Sequence, residues 1–219
     1  MFIGHYGPAL AAPALVKTVP LWVLFFAVQF LDIVWGPLIL AGIEQVRIVP
    51  GFTAMSPLDL HHMPYTHSLP GALALSVLLG AVYGLIARQQ RFAGGLLVAA
   101  ASFSHWLGDL VVHAPDLALW PGGPVAGFGL WNNLPLALGL EVALVLAGLF
   151  FYLRVTQAKG LIGRICPFVL VAVLLALEAV HLMGEPPASA QELAMTSMAV
   201  FVILTGLAAV ADLTRQPRP

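Results

Sequence analysis

Long apolar runs separated by short polar segments set the pattern of this chain. A window of about 19 residues picks out six of them, roughly 20–43, 67–87, 92–113, 132–154, 163–183 and 193–213. At about 1.5 Å of rise per residue, each is long enough to cross a hydrocarbon core about 30 Å thick. The pattern predicts an all-α polytopic membrane bundle of about six transmembrane helices. The longest connections, 44–66 and 114–131, leave little chain for a soluble domain, so residues 1–219 are predicted to form a single helical domain.

Composition agrees: 60% of residues are hydrophobic and 9% are charged. The basic residues add a direction. Lys17, Arg88, Arg91, Arg154, Lys159, Arg164, Arg215 and Arg218 fall on one side of a six-span arrangement, and Arg47 falls on the other. Basic residues concentrate in cytoplasmic connections, so both termini are expected in the cytoplasm and 44–66, 114–131 and 184–192 outside. The first twenty residues lack the basic, apolar and small-residue regions of a signal peptide and are expected to be retained. The single Cys166 excludes an intrachain disulfide and a cysteine-rich metal site. A net charge of −1 without a basic run argues against nucleic acid as a partner.

Ahead of the first run, residues 5–17 are apolar but too short to span, with Pro8 where a first helical turn tolerates proline. They are expected to form a short interfacial or re-entrant helix. In the re-entrant form His5 reaches toward Asp32, which demands a polar interior to cover the backbone.

Ionisable groups inside the apolar runs carry the chemistry. On the third run, His105, Asp109 and His113 are spaced i, i+4 and i+8 and form one stripe, with Ser102 nearly on the same face. His105 and Asp109 lie about 6 Å apart along the axis and can share an ion, whereas His113, about 12 Å from His105, cannot share it with His105. His113 then belongs to a second metal, to a substrate mouth, or to neither. The plainer alternative is a buried His-Asp pair that joins helices.

Asp32 lies mid-span on the first run and Glu141 lies on the fourth, which Asn132 and Asn133 open. A carboxylate near the bilayer centre costs about 2.5–3.5 kcal/mol, so Asp32, Asp109 and Glu141 together cost on the order of 8–10 kcal/mol if left ionised and alone. Away from the span ends, where Arg154 and Arg164 stand, the membrane part offers no lysine or arginine. Imidazolium, a proton or a bound metal remain as partners, and carboxylates beside neutral imidazoles suit Zn²⁺, Mn²⁺ or Fe²⁺. In the first outer loop, Ser68 ahead of Pro70 is a cap for the second span and holds His67 at its entrance. His61 and His62 are expected to be exposed, Asp59 to be a ligand or a turn residue, and Glu178 with His181 to form a neutral hydrogen-bonded pair.

Several of these segments carry a resemblance: Gly4-His5-Tyr6-Gly7-Pro8-Ala9-Leu10, Asp32, Pro64-Tyr65-Thr66-His67-Ser68-Leu69, Ser104-His105-Trp106 with Asp109, and Gly129-Leu130-Trp131-Asn132. Together they resemble the bacterial inner-membrane proteins called predicted membrane-bound metal-dependent hydrolases, over roughly residues 1–155. The family often has His-Arg shortly before Thr-His-Ser, where this chain has His61-His62-Met63-Pro64. The resemblance implies a multi-span helical protein of the bacterial inner membrane with metal-ligating histidines and aspartates.

The leading expectation is therefore a membrane-embedded hydrolase. His5, Asp32, His67, His105 and Asp109 would hold one or two divalent ions, most simply zinc, with Glu141 as general base and His113 as proton donor. A site within the bilayer points to an amphiphilic lipid or phosphoester substrate. Two alternatives stand beside it: a transporter or channel subunit using the same groups as a proton or metal-ion pathway, and a non-catalytic assembly factor.

Overall fold

The structure, a computed structural model, describes residues 1–218. From the N-terminus, a 3₁₀ turn at Ile3–His5 leads into α1 (Tyr6–Ala11), and a second turn at Ala12–Ala14 ends it. Then follow α2 (Leu21–Val28), α3 (Phe30–Leu40), a hairpin of β1 (Gln45–Ile48) and β2 (Leu58–His62), α4 (Leu69–Ile86) and α5 (Arg91–Val112). A two-rung hairpin of β3 (Leu117–Ala118) and β4 (Val125–Ala126) precedes α6 (Leu134–Val155). The chain finishes with β5 (Thr156–Ala158), α7 (Leu161–Met183), α8 (Ala190–Thr214) and β6 (Arg215–Pro217), which pairs antiparallel with β5.

Five of these helices are long and apolar enough to cross a membrane, and α2 with α3 makes a sixth span if the bent pair is counted as one. The protein is an integral membrane protein with an all-α helical bundle. Large apolar side chains such as Leu73, Val77, Leu78 and Leu85 of α4 point outward, the surface that hydrocarbon rather than water would cover.

The first apolar run is not one straight helix. It bends by 48° between α2 and α3 at Gln29, whose backbone (φ −107, ψ 7) leaves the helical region. Gln29 is buried, and its amide finds no partner to either atom. A helix end strands its last carbonyls, and here the break frees the carbonyl of Val28.

The N-terminal segment re-enters the bundle and packs on α6. Glycine permits the close approach: a Cβ on Gly7 would stand 2.6 Å from the Leu144 carbonyl oxygen, and one on Gly148 would collide with the Gly7 carbonyl. The helices α4 and α5 are also drawn together by small residues, since a Cβ on Gly95 would meet the Gly80 carbonyl oxygen at 2.7 Å. Next to that contact the Ser76 hydroxyl donates to Ser102 at 2.9 Å.

At one end of the bundle the C-terminal segment and the basic connections gather, together with the turn that carries Lys17. Met1 does not join them, because the re-entrant segment carries it back to Asp109, against the expectation that both termini lie at the basic end. The Lys17 ammonium donates to the Arg218 carbonyl at 2.9 Å, and buried Arg215 donates to the carbonyls of Gly163 and Thr156 at 2.6 and 3.0 Å. The β1–β2 hairpin with Arg47 caps the opposite end, burying Val46 and Leu60 against Trp35, Ile39 and Leu117. The small hairpins in the two long connections were not expected from the sequence, because their polar and apolar residues do not alternate over a long enough stretch to register.

Candidate metal centre

Asp109 is the hub. It sits on α5 four residues after His105, so both side chains leave the same helical face, and the His105 Nε2 lies 3.0 Å from Asp109 Oδ2. From the entrance of α4, His67 Nε2 approaches the same oxygen at 3.7 Å. The other oxygen, Oδ1, faces the Nε2 atoms of His5 at 3.2 Å and His113 at 3.5 Å, and the Met1 backbone nitrogen at 2.6 Å. Asp32 on α3 completes the group, with its Oδ1 at 3.3 Å from His67 Nε2 and 3.5 Å from His105 Nε2.

Two sets of potential ligand atoms result, His5 with His105 and Asp109, and Asp32 with His67 and His105. Within each, the ligand atoms lie within 4.8 Å of one another. His105, His67, His113, His5 and Asp109 are all buried, whereas the Asp32 side chain is 24% exposed and forms the open side of the cluster.

Each of three imidazoles has its far nitrogen committed elsewhere. His105 Nδ1 lies 2.8 Å from the Val28 carbonyl, the group released by the helix break; a carbonyl only accepts, so Nδ1 carries the hydrogen. His67 Nδ1 lies 2.8 Å from the Thr66 hydroxyl, whose own hydrogen goes to Glu44 Oε2 at 2.5 Å, so His67 Nδ1 also donates. Glu44 is buried and fixed by the backbone amides of Tyr65 and Thr66 at 2.8 and 2.9 Å. His113 Nδ1 faces the Asp116 carboxylate at 3.2 Å. In the neutral ring the remaining Nε2 is then a lone pair, and all three Nε2 atoms are turned toward the carboxylates.

Packing holds these rings in place. The His5 ring stacks on His105 at 3.8 Å between centroids, above Gly108, where an added Cβ would stand 3.2 Å from the His5 ring atoms. The Trp106 indole donates to the His67 carbonyl at 2.9 Å, and His113 lies against the Trp131 ring at 4.2 Å. Ser68 caps α4 as expected, accepting from the Gly71 amide at 3.3 Å.

The five expected ligand positions come together, including His5, which the re-entrant segment carries to Asp109 and His105. His113 does not line a mouth; it is buried and joins the cluster through Asp109. Glu141 takes another place than the one expected: its Oε2 accepts the backbone amides of Phe2 and Gly4 at 2.9 and 3.0 Å, and it anchors the re-entrant segment. Among the described residues no cationic or imidazole nitrogen lies within ion-pairing reach of it, so its charge is met by peptide dipoles. Glu178 forms no hydrogen bond with His181 either; both of its buried oxygens are unpartnered, and His181 is exposed. His61 and His62 are exposed on β2, and Asp59 pairs with Arg47 at 3.6 Å.

Sequence reasoning missed Glu44, Asp116 and the Val28 carbonyl. No local signal marks them, since each acts on a histidine brought close by folding.

Compared with protein-family models, curated proteins and solved structures, the chain matches none.

Proposed function

We propose that the protein is a membrane-embedded metal-dependent hydrolase whose centre is built by His5, Asp32, His67, His105 and Asp109, with His113 at its edge. One observation carries this reading: the Nε2 atoms of His67, His105 and His113, which are lone pairs when the rings are neutral, are aimed at Asp32 and Asp109 while their Nδ1 atoms face fixed partners. Lone pairs facing carboxylates repel. Two carboxylates gathered at one site also call for positive charge beyond the Met1 nitrogen at Asp109 Oδ1, and a divalent cation supplies it while accepting the lone pairs.

Histidines whose second nitrogen is held by a carbonyl or carboxylate are the usual arrangement at metal sites, because the hydrogen bond sets the tautomer and aims the ring. The mixed nitrogen and oxygen donors suit Zn²⁺, Mn²⁺ or Fe²⁺. When bound, such an ion supplies Lewis acidity that activates water for hydrolysis. The chain's own residues do the rest. Asp32 lies at the open side, where a substrate approaches, and His113, paired to Asp116, is a proton carrier beside Asp109. A centre at this depth favours an amphiphilic ester or phosphoester whose apolar part stays in the bilayer.

The resemblance to predicted membrane-bound metal-dependent hydrolases supports the same reading and implies a bacterial inner membrane. The gathering of basic residues at one end supports a cytoplasmic place for that end and the C-terminal segment beside it, with Met1 carried back into the bundle to Asp109. A second reading, proton or ion passage, draws on Glu178, buried on α7 with neither oxygen partnered.

Elemental analysis of the detergent-purified chain tests the centre: one or two zinc, manganese or iron ions per chain are expected, and fewer in His105→Ala. A metal-free wild type, or unchanged content in the variant, overturns the reading. In proteoliposomes, ester or phosphoester cleavage that stops with a chelator and returns with metal supports hydrolysis; ion flux without cleavage favours passage.

A further inference from the structure

Away from the metal centre, α2 and α4 each pack on α5 and leave a lateral groove of about 450 Å³ between them. Its walls are Trp22 and Phe26 of α2 and Val82 and Ile86 of α4, and buried Val98 of α5 forms its floor. This volume is in the range that holds a small ligand. Ile86 and Leu79, both lining it, are seven residues apart on one helix, so the groove runs about 10 Å along the bundle axis.

The groove is not apolar throughout. At the turn between α4 and α5, Arg88 lines its mouth, facing Thr18 across it, and the Thr18 hydroxyl ties the two sides together by donating to Gln90 at 3.1 Å. Among the described residues Arg88 has no carboxylate partner, and no acidic residue lines the groove. Nearby Asp212 is already committed to the amides of Leu21 and Trp22 at 2.9 and 3.0 Å. Arg88 is thus an exposed guanidinium at the boundary of the spans, directly at the end of a hydrocarbon-lined slot.

We propose that this groove seats one acyl chain of an anionic phospholipid, with its phosphate on the Arg88 guanidinium. The planar guanidinium matches phosphate oxygens in pairs. The lipid's other side, its net negative charge, is favoured over a zwitterionic head because Lys17 and Arg91 stand at the same end of the bundle and no carboxylate lines the mouth. This inference does not depend on the metal centre.

Native mass spectrometry of the full chain, released from detergent containing equal phosphatidylglycerol and phosphatidylcholine, tests it. One phosphatidylglycerol per chain is expected to be retained in preference. Arg88→Gln should lower that preference about fivefold, the worth of one basic residue near an anionic surface. Val82→Trp, at a position already exposed and so compatible with folding, should fill the slot and lose the retained lipid. Equal retention of the two lipids by wild type, an undiminished preference in Arg88→Gln, unchanged retention in Val82→Trp, or a second protein copy in place of lipid overturns the proposal.

Discussion

Replacing Thr66 by valine removes one oxygen and little volume, yet that oxygen stands between His67 and Glu44. It accepts from His67 Nδ1 at 2.8 Å and donates to Glu44 at 2.5 Å, in a site with no solvent access. The substitution leaves a buried imidazole N–H and a buried carboxylate oxygen unpaired. At about 1–3 kcal/mol for each such group, the fold without metal loses about 2–6 kcal/mol. The lower end is expected, because Glu44 Oε1 keeps two amide bonds. The centre suffers separately. His67 is freed to turn its ring or exchange tautomers, and loss of such an outer partner costs about 10–100-fold in metal affinity. Competition of the purified chain with a chromophoric zinc chelator measures the affinity, and thermal unfolding in the same detergent measures the fold. Thr66→Ser keeps the hydroxyl and should keep the affinity. Equal affinity in wild type, Thr66→Ser and Thr66→Val would refute the idea that this hydroxyl orients a ligand.

Four other outcomes follow from the same geometry. Gly108→Val should push the His5 ring off His105, lowering metal affinity with little change in helix content by circular dichroism; unchanged affinity would remove His5 from the centre. Glu141→Leu strands the amides of Phe2 and Gly4 and should loosen the re-entrant segment, weakening metal binding through His5. Glu141→Gln keeps an acceptor oxygen for the two amides and should keep the metal; loss of the metal in this variant would refute the idea that the acceptor oxygen alone anchors the segment. Gly95→Leu forces a side chain against the Gly80 carbonyl and should separate α4 from α5, costing about 1–3 kcal/mol of overpacking as read by a lowered Tm; a Tm equal to wild type would show that the contact is slack.

Much of this protein was legible in its residues taken in order. The apolar runs emerge as the membrane-crossing helices because length and hydrophobicity are local properties, and backbone in hydrocarbon has few other ways to satisfy its hydrogen bonds. The pair of His105 and Asp109 was equally plain, since four residues along a helix put two side chains on one face. His67 at the start of α4 followed from Ser68 and Pro70.

What the chain in order did not reveal is how those groups are completed. Val28 and His105 are 77 residues apart, Phe2 and Glu141 are 139 apart, and Glu44 reaches Thr66 over 22. None of these pairings has a periodicity to betray it, because each depends on where separate helices cross. The bend at Gln29 belongs here too: a polar residue in an apolar run signals a cost, while only packing decides that the cost is met by breaking the helix and handing its carbonyl to a histidine. Sequence alone thus determined which segments enter the membrane and which ionisable groups they carry inside. Tertiary structure decided which nitrogens face which oxygens, because donor direction is set by contacts between distant parts of the chain.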